Sequence, residues 1–191
     1  MSLLKESREL ELQHAWSVLT MPLPNKIIEA PLRLLGEYGV NCVIVGGVAA
    51  AIHGSLLLTN DLDVCYARNS ANLARLSSAL QSVHAGLRNV PQGVPFILDA
   101  ETLKRGLNFT FTTDVGDLDL LGEVRGVGQY DDVLHGSLIV ELFGYSFNVI
   151  DIGKLIAAKR SAGRPKDLIA LPELEAIQEA QETRSTETQI D

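Results

Sequence analysis

The sequence predicts an α/β (α+β) domain in which helices flank a mixed β-sheet. Short β-branched runs such as "NCVIV" alternate along the chain with longer segments whose apolar residues recur at helical spacing. Hydrophobic residues make up 46% of the 191 residues and charged residues 21%, which is enough for a buried core. No apolar stretch approaches the roughly 18 to 20 residues that cross a bilayer.

The predicted elements follow one another in a definite order. Helical patterns cover residues 3–19, 26–38, 47–54, 69–86, 152–163 and 164–180. Strand patterns cover residues 41–45, 62–66, 107–113 and 117–122, and a hairpin spans 137–150 with its turn at Gly144-Tyr145. Asn69 or Ser70 is the expected cap of the helix that starts there, and residues 86–98, which glycine and proline interrupt, are expected to be a loop.

The chain divides into three predicted parts. Residues 1–24 form an N-terminal helical extension, residues 25–175 the main domain, and residues 176–191 a polar acidic tail that is frayed or disordered. The only two cysteines, Cys42 and Cys65, lie in strand-like runs and are expected to be buried reduced thiols. With no signal-peptide pattern in the first twenty residues, this predicts a cytoplasmic protein without a membrane partner.

Charge is unevenly distributed along the sequence. The net charge is −8, and residues 172–191 carry six acids against one base. Five bases, in contrast, lie within residues 154–166: Lys154, Lys159, Arg160, Arg164 and Lys166. An acidic protein with one compact basic patch favours a local anion site over a broad nucleic-acid surface.

Two aspartates one residue apart open the strand pattern "DLDVCY". In a strand, Asp61 and Asp63 point to the same face, with Cα atoms roughly 6.5 to 7 Å apart. Two carboxylates so placed repel each other, and their pKa values rise if they are partly buried. A divalent cation between them removes that cost, and Mg²⁺ favours carboxylate oxygens and is often shared with phosphates. The pair therefore predicts a metal site.

A glycine pair lies between the strand "NCVIV" and the alanine-rich helix that follows it. Gly46 and Gly47 let the backbone turn sharply and approach another group closely. The amides after them belong to a helix N-terminus, which attracts phosphate. A plain strand-to-helix turn is the alternative, and the dinucleotide motif G-x-G-x-x-G is absent from the sequence.

A second pair of aspartates lies in "TDVGDLDLLG". Asp119 is flanked by leucines on a predicted strand, so a partner is expected for its carboxylate. Asp117 is expected to be a solvated turn residue. A third carboxylate that reaches Asp61 and Asp63 from a neighbouring strand could complete a two-metal site for phosphoryl displacement.

These motifs together resemble the nucleotidyltransferase superfamily that includes DNA polymerase β. The order is a glycine pair, about a dozen residues, D-x-D, and then a single strand aspartate. The pattern "GGVAAAIHG…TNDLDV" is similar to small bacterial members, including the nucleotidyltransferase toxins of abortive-infection systems. "LIAAKRSAGRPKDLIAL" is similar to the C-terminal segment of that branch, and the likeness extends over residues 27–175.

The resemblance implies a nucleotidyltransferase fold and the roles of several residues. Asp61 and Asp63 would be metal ligands, and Asp119 the third, catalytic carboxylate. Gly46 and Gly47 would hold the triphosphate. The cofactor would be two Mg²⁺ ions, with Mn²⁺ as a substitute. The reaction would move a nucleoside monophosphate from an NTP to an acceptor hydroxyl and release pyrophosphate.

The basic window is expected to serve the same site. Lys159 and Lys166 are the favoured contacts for triphosphate or an RNA acceptor, and Asp167 is expected to support the bases around it. The base of the NTP stays open, and a tRNA end, a protein hydroxyl and a small molecule fit almost equally as acceptor. A homo-oligomer or a cognate antitoxin are further partners to consider.

The chain departs from the family pattern at one place. Relatives often carry an arginine between "HG" and the threonine, where this chain has Leu56, Leu57 and Leu58. This difference favours the alternative of a weakened nucleotide-binding module or a regulator in a toxin–antitoxin pair. A glycosyltransferase that uses D-x-D to hold a nucleotide-sugar is a further alternative. The histidines and cysteines lack zinc-site spacing, and no G-x-S-x-G elbow is present.

Overall fold

The computed structural model describes residues 26–90 and 96–188. Its helices are α1 (Lys26–Glu37), α2 (Gly46–His53), α3 (Ser70–Ser82), α4 (Ala100–Arg105), α5 (Tyr130–Leu134), α6 (Ile152–Ala162) and α7 (Pro165–Thr188). Its strands are β1 (Cys42–Ile44), β2 (Asp61–Tyr66), β3 (Gly86–Leu87), β4 (Asn108–Thr113), β5 (Gly116–Leu121), β6 (Glu123–Val124), β7 (Gly128–Gln129), β8 (Leu138–Leu142) and β9 (Tyr145–Val149). The predicted α/β (α+β) class with a mixed sheet is confirmed.

Seven strands form one sheet in the order β3-β4-β5-β2-β1-β9-β8, and β6 and β7 form a separate pair. β2 runs parallel to β5 and β1 parallel to β9, whereas β1 and β2 are antiparallel. The carboxyl ends of β1 and β9 therefore meet the amino ends of β2 and β5 at one edge of the sheet. The glycine pair and the aspartates lie at this edge.

Alternation along β2 and β5 separates an apolar face of the sheet from an acidic one. Leu62, Val64, Leu118 and Leu120 are fully buried and belong to the main core. The aspartates at the intervening positions are only partly buried. Successive side chains of a strand point to opposite faces, so the same two strands close the core and present carboxylates on the other side.

Five short elements were not expected from the sequence: β3, α4, β6, β7 and α5. β3 lies inside the segment 86–98 that we expected to be a loop, and it pairs with β4. α4 begins after Asp99, whose side chain accepts a hydrogen bond from the Thr102 amide at 2.7 Å, and α5 has five residues. Elements this short contain less than two periods of any hydrophobic pattern, so periodicity does not reveal them.

The β8–β9 turn is one residue earlier than predicted. β8 ends at Leu142 and β9 begins at Tyr145, so the turn residues are Phe143 and Gly144. Both have positive φ, 54° and 87°, as a two-residue hairpin turn of type I′ requires. The prediction put the glycine at the first central position of the turn, whereas it occupies the second. The predicted cap is confirmed, because the Asn69 side chain accepts a hydrogen bond from the Asn72 amide.

α7 ends at Thr188, beyond the predicted helix over residues 164–180, and it includes most of the segment 176–191 for which a frayed or disordered tail is predicted. Gln178 Nε2 donates to Glu182 Oε1 at 3.0 Å, and Thr183 Oγ1 donates to the Glu179 carbonyl at 2.9 Å. Such contacts between residues four apart stabilise a helix. The predicted helix over residues 3–19 lies outside the described residues, and the division at residues 24 and 175 stays a prediction. No described helix is long and apolar enough to cross a membrane.

Candidate active site

Four aspartates form a two-by-two block on adjacent parallel strands. Asp61 of β2 is the register partner of Asp117 of β5, and Asp63 is the partner of Asp119. Paired positions of neighbouring strands share a face, so all four side chains lie on the acidic face of the sheet. Asp117 is therefore a strand residue of this block, whereas the sequence analysis expected a solvated turn residue.

Three of these carboxylates come together as a candidate metal centre. Asp61, Asp63 and Asp119 each offer an oxygen, and these oxygens lie within 4.8 Å of one another. Anionic carboxylate oxygens are the ligands that hard divalent cations such as Mg²⁺ and Mn²⁺ prefer. The donor set of this chain therefore fits a divalent metal, and the three residues could hold one.

The carboxylates of this centre strain one another electrostatically. Burial raises the pKa of Asp63 to about 6, and the charges of Asp61 and Asp119 add to the rise. Burial also raises the pKa of Asp119, while the guanidinium of Arg88 opposes the rise. A bound divalent cation would offset the repulsion among the carboxylates and stabilise their ionised forms.

Thr59 orients one of the carboxylates, and the sequence analysis missed it. Its Oγ1 donates a hydrogen bond to Asp61 Oδ1 at 2.8 Å. The same side chain packs against Gly47, since a Cβ at Gly47 would lie 2.5 Å from Thr59 Cβ. The position of a threonine two residues before Asp61 is the one sequence feature that could have indicated this hydrogen bond.

The glycine pair lies directly over the aspartates. Gly46 begins α2 with φ of +62°, and a Cβ there would lie 2.0 Å from Asp63 Oδ2. Only glycine fits this position, for its φ and for its contact. The N-cap residue Val45 supplies no side-chain hydrogen bond to the start of α2. The first amides of α2 therefore have no capping side chain, and a helix start of this kind favours an anion.

The α6–α7 turn brings cations to the same cavity. Asp167 is almost fully buried, with a side-chain exposure of 3%, and accepts a hydrogen bond from Arg164 Nε at 2.6 Å. Its Oδ1 lies 3.7 Å from Lys159 Nζ. Burial would raise the pKa of Asp167, but the hydrogen bond and charge of Arg164, with the charge of Lys159, hold it below its usual value.

Lys166 differs from the two cations that Asp167 holds. It is exposed and lines the cavity, and it forms no ion pair with any residue in the described ranges. Both predicted phosphate contacts, Lys159 and Lys166, thus face the cavity that contains the carboxylates. Asp167 has the supporting position that the sequence analysis expected.

One cavity of about 650 Å³ joins these groups. Gly46, Gly47 and the three carboxylates line one part of it, and Lys159, Arg164 and Lys166 line another. The exposed residues at its mouth include the apolar Leu57, Leu58 and Ile169 as well as the charged Glu123, Arg125 and Lys166, and Leu58 is 86% exposed. Arg125 also lines the cavity and adds a further cation to it, whereas Leu56, Leu57 and Leu58 occupy the positions where the sequence resemblance implied an arginine.

Glu173 of α7 fixes the loop that carries these leucines. Its Oε2 accepts a hydrogen bond from Ser55 Oγ at 2.6 Å, and its Oε1 accepts one from the Leu56 amide at 2.8 Å. The two bonds tie the segment after α2 to the C-terminal helix. The leucines are thus held at the cavity mouth although they are not packed in the core.

Arg88 is a member of the acidic face that the sequence analysis missed. Its amide donates to the Thr110 carbonyl at 2.8 Å, which extends the β3–β4 pairing. Its Nη1 donates to Asp117 Oδ2 at 2.6 Å, and its Nη2 pairs with Asp119 Oδ1. Arg88 and the two aspartates are about 30 residues apart in sequence, so no local motif connects them.

No family model and no curated protein sequence matches the chain. Its fold is similar to that of the lincosamide antibiotic adenylyltransferase LnuA with lincomycin bound, with a TM-score of 0.53 and 11% identity, over 81% of this chain and 98% of that one. A further structure is the antibiotic-resistance factor ANT(2'')-Ia, with a TM-score of 0.46 and 13% identity, over 85% and 93% of the two chains. The first of these comparisons assigns the nucleotidyltransferase fold to this chain.

Proposed function

We propose that this protein is a metal-dependent nucleotidyltransferase. It moves a nucleoside monophosphate from an NTP to an acceptor hydroxyl and releases pyrophosphate. One observation carries the proposal: three carboxylates, an uncapped helix start and a set of cations line a single cavity. Metal ligands, a phosphate cradle and counter-charges for a triphosphate are the parts that phosphoryl transfer requires.

Each part of the cavity has a role in this reaction. Asp61 and Asp63 would hold two Mg²⁺ ions, for which Mn²⁺ could substitute, and Asp119 would complete the centre. When bound, the metal lowers the negative charge of the phosphates and favours ionisation of the acceptor hydroxyl. Thr59 keeps the Asp61 carboxylate in its orientation through the hydrogen bond described above.

The remaining residues bind the NTP and direct the acceptor. The amides that begin α2 after Gly46 and Gly47 cradle the triphosphate, and Lys159 and Lys166 neutralise it from the α6–α7 side. Asp119 takes up or orients the proton of the acceptor hydroxyl. A bond forms between the acceptor oxygen and the α-phosphorus. The bond from that phosphorus to the bridging oxygen breaks, and pyrophosphate leaves.

The acceptor belongs to one of three classes: RNA such as a tRNA end, a protein hydroxyl, or a small hydroxylated molecule. The likeness to an adenylyltransferase of lincosamide antibiotics supports including the small molecules. A role as an abortive-infection toxin with an antitoxin partner accords with the sequence resemblance. The apolar loop at the cavity mouth favours a second candidate, a nucleotide-binding module or regulator with weakened activity.

The test is transfer of label from each α-labelled NTP, with Mg²⁺, to cellular RNA, cellular protein and a set of small hydroxylated compounds. Wild type should transfer label to one acceptor class, and Asp63→Asn should not. Asp114→Asn is the matched control, because Asp114 is an exposed aspartate that pairs with His84 outside the cavity. Equal transfer by Asp63→Asn and wild type would reject the proposal. NTP binding without transfer to any acceptor would favour the binding module.

A further inference from the structure

Arg88 forms an ion pair with the carboxylate of Asp119, which also belongs to the candidate metal centre. Its guanidinium spans two residues of β5, with Nη1 on Asp117 Oδ2 at 2.6 Å and Nη2 on Asp119 Oδ1. Asp119 is one of the three residues that could hold a cation. The side chains of Arg88 and Asp119 are 24% and 16% exposed, so the pair is largely shielded from water.

The backbone fixes Arg88 in this position. The hydrogen bond from its amide to the Thr110 carbonyl places it beside Thr110 on the sheet edge, and Thr110 is the register partner of Asp119. The side chain therefore reaches across one strand to the acidic face. A planar guanidinium with parallel donors is suited to bridge two carboxylates, which the single ammonium of a lysine does less well.

This geometry sets two positive charges in competition. A cation at the three carboxylates and the guanidinium of Arg88 both need the negative charge of Asp119, and they repel each other across a few ångströms. Asp117 lies outside the three-carboxylate group but pairs with Arg88. Arg88 could therefore give up Asp119 and keep one carboxylate partner.

We propose that Arg88 is the counter-ion of Asp119 in the metal-free protein and that a divalent cation replaces Arg88 at this carboxylate. Before metal binds, Arg88 neutralises Asp119 and holds its side chain in place. When metal binds, Arg88 retains Asp117 and releases Asp119. Arg88 is thus a positioning residue that lowers the metal affinity of the centre. This inference rests on the proposed function, since it takes the three carboxylates as a metal site.

The test is calorimetric titration of the metal-free protein with Mn²⁺ in the absence of nucleotide. Arg88→Gln should bind Mn²⁺ about tenfold more tightly than wild type, because a competing positive charge has been removed. Arg88→Lys keeps the charge and should remain within about threefold of wild type. Arg105→Gln is the matched control: Arg105 is an exposed arginine that pairs with Glu101 on α4.

The outcomes separate this proposal from the proposed function. Unchanged or weaker Mn²⁺ binding by Arg88→Gln, with measurable binding by wild type, overturns the role of Arg88 and leaves the metal site standing. No Mn²⁺ binding by any variant overturns both. If Arg88→Gln does not fold, the guanidinium ¹⁵N resonance of Arg88 is followed in wild type during a Mg²⁺ titration. That resonance is assigned by its loss in Arg88→Lys. It should shift with metal, and an unchanged resonance overturns the exchange.

Discussion

On the β2–β5 side of the cavity the charged groups are short aspartate side chains on paired strands, whereas on the α6–α7 side they are long lysine and arginine side chains around a helix turn. Strand register fixes the aspartates in two rows. A single buried carboxylate, Asp167, fixes Lys159 and Arg164. Strand pairing therefore positions the acidic side, whose carboxylates repel one another, and one ion-pair network positions the basic side.

The largest effect is expected from a side chain added to the acidic side at Gly46. In Gly46→Ala the new Cβ would lie 2.0 Å from Asp63 Oδ2, and φ is +62°. We expect the free energy of unfolding to fall by about 3 kcal/mol, from left-handed strain and from overpacking. Urea denaturation measures this value.

Gly136→Ala is the control for Gly46→Ala. Gly136 has φ of +72°, but no described heavy atom lies within 4 Å of its Cβ position. It should show only the left-handed strain, about 1 to 2 kcal/mol. Equal losses in the two variants would contradict the close packing of Gly46 on Asp63.

A pH dependence should reveal the strain among the aspartates. The pKa of Asp63 is raised by burial, and by Asp61 and Asp119, from 3.8 to about 6. The folded state then binds this proton more tightly than the unfolded state. Protonation of Asp63 therefore stabilises the folded state. This contribution is fully present below about pH 4 and is lost as the pH rises through about 6.

Metal-free wild type should therefore lose on the order of 2 to 3 kcal/mol relative to Asp63→Asn between pH 4 and 7. Denaturation with a chelator present, at a series of pH values, measures the difference. Adding Mg²⁺ should reverse the loss in wild type alone. If the unfolding free energies of the two proteins change in parallel with pH, Asp63 does not have the raised pKa that burial and its neighbours imply.

Asp167→Asn should weaken the basic side. The change leaves Lys159 without its buried partner and removes the carboxylate that orients Arg164. Because Arg164 is 61% exposed and solvent screens its charge, we expect a loss of about 2 kcal/mol in unfolding free energy, below the value for a fully buried pair. Triphosphate binding should weaken as well, which calorimetry with an NTP and Mg²⁺ detects.

Glu175→Gln tests whether burial of the pair matters. Glu175 pairs with Arg160 at 2.6 Å, but both side chains are exposed. Its loss should cost less than about 0.5 kcal/mol and leave NTP affinity unchanged. If the two variants lose equal stability, the buried network does not hold the basic side.

The smallest effect is expected from a cation added at the cavity mouth. Leu58 is 86% exposed and lines the cavity, so Leu58→Arg should keep the stability within about 0.5 kcal/mol and tighten NTP binding a few-fold. Leu56 has the same exposure but does not line the cavity. Leu56→Arg should leave NTP affinity unchanged. Tighter NTP binding by both variants would indicate a general effect of added positive charge and not a contact at the cavity.

The difference between the two sides also explains what the sequence could predict. Strand alternation places Asp61 with Asp63, and Asp117 with Asp119, so the acidic face follows from period and composition. The glycine pair before an alanine-rich helix predicted a strand-to-helix turn, and the structure has one. The cations of residues 154–166 predicted the basic side because they are close together in sequence.

Residues that contact the site from distant segments were not predictable in this way. Arg88 reaches the acidic face only because a two-residue strand pairs with β4, and so short a strand has no period of its own. Asp117 was expected to be a solvated turn residue, and its partner Arg88, 29 residues away in sequence, is not recognisable from any local pattern. Glu173 of the C-terminal helix accepts a hydrogen bond from Ser55, which is 118 residues away in sequence, so this contact depends on tertiary packing.

The most direct test of the proposed metal and nucleotide site is a crystal structure with Mn²⁺ and each of the four α,β-methylene NTPs, which retain the triphosphate but resist transfer. We expect anomalous density at Asp61, Asp63 and Asp119, with the triphosphate over Gly46 and Gly47 and near Lys159 and Lys166. Density for metal and nucleotide at another surface, with these carboxylates empty at saturating ligand, would contradict it.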